Sequence, residues 1–323
     1  MADGILSTKA WQTRKSGRND PTSTPSEAIK TAKAAQTTME SDGVCAHLVR
    51  MRLNRKGKRM RESHVKRALR EGRPSVGAWL SYGAPLAVEA MTTVGFDWLT
   101  IDWEHNAFSI ETVALMLMAM RGTPSAPFVR VPDGTHENIK RVLDAGAWGI
   151  IAPMVNTVEE ARIIARAAKH PPVGNRSYGG GRYNASFDAQ PGEYNQRASD
   201  EICVIIMIES PEGINNLDAM LAEGGIDGVF VGPNDMLGNM GETPAMWSEA
   251  KVFQEGMQHI LQTCKKHHVA AGVMCADAQG VSDRIAEGYQ FLGLGYDSRF
   301  MLHEATIEAQ SVTGWQPRDR RKP

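Results

Sequence analysis

Three ionisable residues follow directly on an apolar run in the segment FDWLTIDWEHNAFS, which spans residues 96–109. The aromatic and aliphatic residues at 96–101 are typical of a buried strand, whereas Asp102, Glu104 and His105 arrive within four positions. Charged groups are costly to bury, so three of them at the exit of a strand call for a functional reason. Acid–base chemistry is such a reason, because a histidine can take up and release a proton near neutral pH.

Three further apolar runs also end in a charged residue. Arg130 follows PFV, Glu209 follows IIMI, and Asp235 follows GVFVGPN. A single carboxylate at such a position is more often a helix cap or a surface group. Four coincident strand exits, in contrast, predict a functional site.

These residue types favour enolate chemistry at a metal. Glu209 and Asp235 have no cysteine nearby, and two carboxylates suit a hard divalent ion such as Mg²⁺ or Mn²⁺. Such an ion can polarise a carbonyl group, and Arg130 could stabilise the negative charge that develops on its oxygen. His105 could then move the proton, either directly or through water. The pattern predicts proton transfer next to a carbonyl.

Enzymes that form enolate-like intermediates can instead use a lysine that forms a Schiff base with the substrate. From residue 71 onward, every lysine falls in a predicted helix or in the tail, and none lies at a strand end: Lys140, Lys169, Lys251, Lys265, Lys266 and Lys322. The covalent route therefore has no candidate residue, which favours the metal route.

The elements that must position these residues alternate regularly. Eight short apolar runs, most of them followed by an amphipathic stretch, lie at 76–80, 97–101, 127–130, 148–152, 203–208, 227–231, 269–274 and 291–295. Continuous apolar runs are typical of buried parallel strands, each of which needs a crossover helix. Eight such units over about 250 residues predict a (β/α)₈ TIM barrel, with its active groups at the carboxyl ends of the strands. A doubly wound sheet is the competing fold, but the sequence lacks a dinucleotide-binding glycine fingerprint.

Charge is divided unevenly along the chain. Residues 1–70 carry sixteen Lys or Arg and six Asp or Glu, which gives a net charge of +10. Residues 71–323 carry 20 Lys or Arg and 31 Asp or Glu, which gives a net charge of −11. Such a basic segment is usually disordered and solvated, although it could touch RNA, a membrane or the acidic body. We predict a low-order basic extension over residues 1–61 and one barrel domain over residues 62–323.

The cysteines and the first residues bear on the compartment. Four widely spaced cysteines form no CxxC pair and no zinc pattern, which suits a reducing compartment. The first twenty residues lack the apolar core of a secretion signal, and no apolar run reaches the roughly eighteen residues of a membrane span. A cytoplasmic protein is predicted. Mitochondrial import is the weaker alternative, since the first residues are Arg-, Ser- and Thr-bearing and poor in acids.

Several motifs, in order along the chain, resemble the HpcH/HpaI family of metal-dependent class II pyruvate aldolases. They are GFDWLTIDWEH, VRVPDGTHENIKRVLDAGAWGIIAPMVNTVEEA, IES, DGVFVGPNDMLGNMG and FLGLGYDSRFM. The resemblance covers roughly residues 62–310, nearly the whole predicted barrel, with family spacing between the motifs. The residues before 60 lie outside it.

The resemblance implies a (β/α)₈ barrel in a homo-oligomer, usually a hexamer with helix exchange between copies. It also implies reversible aldol cleavage of a 4-hydroxy-2-oxo acid into pyruvate, or a close 2-oxo acid, and an aldehyde. The implied metal is Mg²⁺ or Mn²⁺, with Co²⁺ as a further candidate.

Site residues carry over position by position. His105 matches the family's catalytic base and Arg130 its transition-state stabiliser. Glu209 and Asp235 match the metal ligands. Asp144, in VLDAG, matches a carboxylate that raises the basicity of the histidine. The substrate-binding positions are matched by Asn234, Asp235, Gly232 and Met207.

Two features raise questions about the substrate. Met207 stands where the family often has a glutamine that touches substrate, and a thioether cannot donate a hydrogen bond. The preferred 2-oxo acid is therefore in question. The long Gly-, Arg- and Tyr-rich segment over residues 171–196 carries Arg176 and Arg182. These arginines would either meet an acidic aldehyde or pair at a subunit contact, and the sequence favours neither.

Two other functions stay open at this point. A citrate-lyase-like enzyme acting on a CoA thioester would use the same barrel and metal, but the body shows no clear basic patch for CoA. A non-catalytic scaffold or nucleic-acid-binding protein would use the basic arm, but the strand-end groups are all retained. The expected partners are thus 2-oxo acid and aldehyde substrates and further copies of the chain. No membrane partner is expected, and nucleic acid is disfavoured.

Overall fold

A computed structural model describes residues 59–318 of the chain, and within them eight parallel strands close into a barrel in sequence order. The strands are β1 (Ser75–Leu80), β2 (Trp98–Asp102), β3 (Ala126–Arg130), β4 (Gly149–Ala152), β5 (Cys203–Met207), β6 (Gly228–Val231), β7 (Ala270–Cys275) and β8 (Phe291–Tyr296). All the strands are parallel to their neighbours, and β8 pairs with β1 to close the ring.

Helices connect the strands around the outside. They are α1 (His64–Arg70), α2 (Pro85–Met91), α3 (Ile110–Ala119), α4 (His136–Asp144), α5 (Val158–Ala167), α6 (Arg182–Ser186), α7 (Glu193–Glu201), α8 (Pro211–Ala222), α9 (Pro233–Asn239), α10 (Lys251–His267), α11 (Ala278–Glu287) and α12 (Asp297–Ser311). The predicted (β/α)₈ TIM barrel is confirmed. None of the helices within residues 59–318 combines the length and the apolar character needed to cross a membrane.

The barrel interior is filled by aromatic side chains packed against glycines. The rings of Trp98 and Phe291 are stacked with centroids 4.2 Å apart, and Phe128 lies 5.6 Å from Phe291. A Cβ at Gly77 would lie 2.0 Å from the Trp98 ring, and one at Gly149 would lie 2.2 Å from the Phe128 ring. These glycines therefore leave the space that the rings occupy.

Side chains that satisfy free backbone N–H groups mark where the helices begin. Thr157 and Glu160 form a reciprocal capping box at the start of α5. Ser210 caps α8 and Asp277 caps α11, each by accepting a hydrogen bond from a backbone N–H three residues on. These caps set the points at which the chain turns from the carboxyl end of a strand into a helix.

The long segment over residues 171–196 lies at the opposite end of the barrel from those turns. It follows α5, which returns the chain to the amino ends of the strands, and it leads through α6 and α7 into β5. Arg176 in this segment is completely buried and donates hydrogen bonds to Tyr194 (2.9 Å) and Asp144 (2.7 Å). Within one copy of the chain, the segment packs at the end of the barrel where the strands begin.

Most of the extension predicted over residues 1–61 lies outside the described residues. Met60 and Arg61 are described, and both pack on the barrel: Met60 is buried, and the Arg61 guanidinium lies 4.6 Å from the Trp148 ring centroid. Residues 60 and 61 therefore pack against the barrel.

Candidate active site

A cavity of about 360 Å³ opens at the carboxyl ends of the strands. Its wall is made by residues from the ends of β1, β3, β5, β6, β7 and β8 and from the segments that follow β2, β5 and β6. The lining residues are Trp79, His105, Arg130, Met207, Glu209, Phe230, Gly232, Pro233, Asn234, Asp235, Met246, Met274 and Tyr296. The cavity lies where a barrel of this kind carries its active groups, and its volume is typical of a small-molecule site.

Arg130 is held rigidly in the cavity wall. Residues 102 and 130 are register partners on β2 and β3, so Asp102 faces Arg130 directly. Arg130 Nε lies 2.8 Å from Asp102 Oδ1 and Nη2 lies 2.8 Å from Asp102 Oδ2, while Nη1 lies 3.1 Å from Glu104 Oε2. The guanidinium also lies over the Trp79 ring, 4.5 Å from its centroid. This two-point ion pair fixes the plane of the guanidinium.

Arg130 keeps its positive charge although it is buried. Burial alone would lower the pKa of Arg130, but the hydrogen bond and negative charge of Asp102 outweigh it, with Glu104 adding to the effect, and the pKa is raised. The side chain is 8% exposed, so its charge is only weakly screened by water. Arg130 is therefore a permanent cation in the cavity wall.

His105 lies at the mouth of the cavity. Its Nε2 atom is 3.5 Å from Glu104 Oε2, and its side chain is 60% exposed. Burial raises the pKa of Glu104 above its usual range, although Arg130 and His105 both oppose the shift. Solvent therefore reaches the imidazole, and Glu104 is the carboxylate beside it.

Glu209 and Asp235 face the cavity from consecutive strand exits. Glu209 is 2% exposed, and the backbone N–H of Met154 donates to its Oε2 atom over 3.1 Å. Met154 has a φ of 51°, a left-handed conformation that is rare for a residue with a side chain. Asp235 lies in the first turn of α9. The strained backbone at Met154 thus holds one Glu209 oxygen and leaves the other for the cavity.

The loop after β6 approaches Glu209 closely at Gly232. A Cβ at Gly232 would lie only 2.2 Å from Glu209 Oε1. The absence of a side chain at Gly232 therefore lets the Glu209 carboxylate approach the loop after β6.

The two carboxylates fit a hard divalent cation. Burial, followed by the negative charge of Asp235, raises the pKa of Glu209 to about 7, and a cation between the two groups would offset both effects. Within residues 59–318, no cluster of three or more His, Cys, Asp or Glu side chains could hold a metal. A cation on Glu209 and Asp235 would take its remaining oxygen ligands from water and substrate.

The other predicted substrate-binding residues also reach this cavity. Asn234 and Gly232 line it beside Asp235, and Met207 lines it from the end of β5. Met207 is 1% exposed, and Asn234 Nδ2 lies 3.7 Å from Met246 Sδ. The sequence predicts nine roles for eight residues, because Asp235 has both a substrate-binding and a metal-binding role. Eight of these nine roles fall on residues that line this cavity.

Asp144 is the exception, because within one copy it does not line the cavity. It ends α4, five residues before β4, so it lies at the amino ends of the strands, whereas His105 follows the carboxyl end of β2. Its side chain is paired with Arg176 at 2.7 Å. Within one copy, Asp144 does not contact His105, and Glu104 is the carboxylate beside the histidine. Contact between Asp144 and a His105 would require a second copy of the chain.

Six lining residues were not predicted from the sequence: Trp79, Phe230, Pro233, Met246, Met274 and Tyr296. Trp79 and Tyr296 lie at the ends of predicted strands, so a strand-exit rule extended to uncharged aromatic residues would have found them. Met246 and Met274 carry no such signal, because methionine in an apolar run or loop is ordinarily a packing residue.

Comparison with known proteins agrees with this architecture. The model of the HpcH/HpaI aldolase/citrate lyase family matches residues 75–304. The chain is 37% identical over 249 residues to the hydroxypyruvate/pyruvate aldolase of Deinococcus radiodurans, covering 76% of this chain and 88% of the relative. It is 35% identical over 250 residues to the 4-hydroxy-2-oxo-heptane-1,7-dioate aldolase of Klebsiella pneumoniae, covering 77% and 93%.

A solved structure extends the likeness to three dimensions. The crystal structure of an HpcH/HpaI aldolase/citrate lyase family protein from Burkholderia cenocepacia superposes with a TM-score of 0.72 at 30% identity. The superposition covers 77% of this chain and 98% of that chain. Both the family and the enzyme class predicted from the sequence are thereby confirmed. The chain belongs to the HpcH/HpaI aldolase/citrate lyase family, and it is a carbon–carbon lyase of the aldolase type.

Proposed function

We propose that this enzyme reversibly cleaves a 4-hydroxy-2-oxo acid into pyruvate, or a closely related 2-oxo acid, and an aldehyde, with the help of a divalent metal ion. The observation that carries the proposal is the convergence of His105, Arg130, Glu209 and Asp235 on one cavity. The names of the two aldolase relatives support the same class of substrate.

Glu209 and Asp235 would hold the metal ion. Two carboxylates favour Mg²⁺ or Mn²⁺, with Co²⁺ as a further candidate. When bound, such an ion supplies Lewis-acid polarisation of the 2-oxo group. Glu209 is kept in place for this task by the Met154 N–H and by the close approach of Gly232.

Cleavage then depends on His105 and Arg130. His105 accepts the proton of the 4-hydroxyl group, the C3–C4 bond breaks, and its electron pair passes to the 2-oxo oxygen, which releases the aldehyde and leaves an enolate. Arg130, as a fixed cation, stabilises the negative charge on that oxygen. Delivery of a proton to C3 completes the 2-oxo acid. Asp102 and Glu104 hold Arg130 and His105 in place for these steps.

We also propose that the enzyme is a homo-oligomer, a hexamer by family resemblance, in which α12 packs against another copy. The support is the exposure of its apolar side chains: Met301 is 54% exposed, Leu302 57% and Ile307 45%. A helix of fifteen residues with such a surface would be costly to leave in water. Cytoplasmic location remains a prediction.

A substrate screen tests the activity. Racemic 4-hydroxy-2-oxo acids of increasing chain length would be supplied with Mn²⁺, and pyruvate release would be followed by coupling to lactate dehydrogenase. We expect pyruvate from at least one of these acids. No pyruvate from any of them, with metal binding and folding intact, would overturn the proposal.

A further inference from the structure

We propose that Met246 contacts the acceptor half of the substrate, the half that leaves as the aldehyde, and that Trp247 and Arg284 hold Met246 in position. This inference rests on the proposed aldolase function and adds residues to the same cavity. Met246 and Trp247 belong to the segment over residues 240–250, which links α9 to α10 and is named the rim segment here.

The proposed chemistry places the acceptor half at the mouth of the cavity. Glu209 and Arg130, which would serve the 2-oxo end of the substrate, are 2% and 6% exposed. His105, which would take the proton of the 4-hydroxyl group, has a side chain that is 60% exposed. C4 becomes the aldehyde carbon on cleavage, so the acceptor half begins beside His105 and extends along the mouth.

Met246 lies across this mouth from His105. In the closed barrel β2 and β6 are four strands apart, so the segments that follow them leave from opposite sides. His105 follows β2, whereas Asn234 and the rim segment follow β6. Met246 is half-buried and lines the cavity, and its Sδ atom lies 3.7 Å from Asn234 Nδ2. Met246 therefore forms the wall opposite the base, and its unbranched thioether can adapt to the group that lies there.

Contacts with two outer helices fix Trp247, the residue next to Met246. The Arg284 guanidinium on α11 lies over the Trp247 ring, 3.7 Å from its centroid. The buried ring of Phe253 on α10 meets Trp247 edge to face, with centroids 5.2 Å apart. The Trp247 Nε1–H also donates to Glu249 Oε1 over 3.1 Å. A cation is attracted to the face of an indole ring, so Arg284 and Phe253 together tie Trp247 to α10 and α11.

The rim segment depends on such contacts because it forms neither a helix nor a strand. Without a ladder of backbone hydrogen bonds, its position is set by side chains. Gln254 Nε2 donates to the backbone oxygen of Ser248 over 2.5 Å, which holds the end of the segment that leads into α10. Arg284 itself does not line the cavity. We therefore expect Arg284 to act on the substrate through Trp247 and Met246, as a positioning residue.

Met246→Ala removes the proposed contact, and Met246→Leu keeps an apolar side chain of similar size. The full-length variants would be assayed with Mn²⁺ and the 4-hydroxy-2-oxo acid that releases pyruvate fastest in the substrate screen. We expect KM to rise at least about fivefold in the Ala variant while kcat changes less than about twofold, since a contact away from the reacting bond binds ground state and transition state alike. The Leu variant should stay within about twofold of the parent KM. A parent KM in Met246→Ala would overturn the contact.

Arg284→Met removes the cation over Trp247 and keeps an unbranched side chain, whereas Arg284→Lys keeps a cation. We expect KM to rise at least about threefold in the Met variant and to return to within about twofold of the parent in the Lys variant. Glu287→Gln is the control, because Glu287 Oε1 pairs with Arg284 Nη2 at 2.6 Å but does not contact the ring. It should keep the parent KM. An unchanged KM in Arg284→Met, or an equal rise in Glu287→Gln, would overturn the positioning role. Light scattering would confirm the parent mass of each variant.

A measurement without the acceptor half separates this inference from the proposed function. Exchange of the pyruvate methyl protons with D₂O, followed by NMR, reports enolate formation alone. We expect the exchange rate of Met246→Ala to stay within about twofold of the parent, since pyruvate lacks the group that Met246 would contact. A fall in exchange as large as the fall in kcat/KM would place Met246 at the 2-oxo acid, which overturns the inference and leaves the aldolase function standing. Neither exchange nor cleavage by the parent enzyme would overturn both.

Discussion

Single residues determine the chemistry of this cavity through the groups that hold them. His105, Arg130, Glu209 and Asp235 could be predicted from the sequence, since each follows a strand in a fold whose strand ends converge. The role of Asp102 could not, because it depends on the register that places residue 102 opposite residue 130. Nor could the left-handed conformation at Met154, which no local sequence signal marks.

Asp102→Asn removes one charge from the ion pair and keeps the size of the side chain. Arg130 would lose the partner that fixes its plane, while Glu104 would remain beside it. We expect kcat/KM for pyruvate release to fall about 10²-fold or more, because a fixed cation is worth several kcal/mol to a developing negative charge. Steady-state kinetics would measure it, with circular dichroism to confirm folding. A variant with kcat/KM within about threefold of the parent would show that activity does not depend on the pairing of Asp102 with Arg130.

Gly232→Ala tests the setting of Glu209. The new Cβ would lie 2.2 Å from Glu209 Oε1, so the carboxylate must move. We expect Mn²⁺ affinity to fall at least about tenfold, as when groups that orient metal ligands are altered. Isothermal titration calorimetry would measure it. Gly238→Ala is the matched control, since its Cβ would meet only Pro244 at 3.9 Å, and its affinity should be unchanged. Equal affinity in the two variants would show that Glu209 tolerates displacement.

Whole elements were largely predictable because a buried parallel strand has an unambiguous signature. All eight strands lie within two residues of the apolar runs that predict them. The helices α6 and α7 were not foreseen, since they lie in a Gly-rich polar segment and are stabilised by tertiary contacts such as the stacking of Tyr183 on Tyr194 at 3.9 Å. The pairing of Asp144 with Arg176 could not be foreseen for the same reason, since it depends on the folding of this segment.

The packing of rings against strand glycines makes a prediction for stability. Gly149→Ala would place a Cβ 2.2 Å from the Phe128 ring, and overpacking of this kind costs about 1–3 kcal/mol or more. Urea unfolding would measure the loss. Gly280→Ala on the outer helix α11 is the control, because its Cβ would meet nothing closer than 3.5 Å and alanine favours a helix. Equal stability of the two variants would mean that the interior accommodates the methyl group.

At the scale of the whole molecule, one barrel carries the site at one end and an exposed apolar helix beside it. The helix α12 follows β8, whose last residue, Tyr296, lines the cavity. The sequence alone could not predict its exposure, since the same apolar residues could pack on their own chain or on another copy. Assembly and activity are therefore expected to be linked through the end of β8.

A double substitution tests the proposed assembly. Leu302→Glu with Ile307→Glu would place two charges on the exposed apolar face of α12. We expect light scattering after size-exclusion chromatography to give a smaller particle than the parent chain, because a charge buried at an interface without a partner is unfavourable. Glu304→Gln on the same helix is the control and should keep the parent mass. A double variant that retains the parent mass would place the contact elsewhere.

Metal dependence is the central claim for the whole enzyme, and pyruvate release with and without a chelator tests it most directly. With a responsive 4-hydroxy-2-oxo acid, we expect EDTA to reduce the rate at least about 10²-fold and added Mn²⁺ to restore it. His105→Ala should keep its Mn²⁺ affinity while losing most of its turnover, since the histidine moves the proton and does not hold the ion. An unchanged rate in EDTA, with metal content measured as nil, would contradict the account.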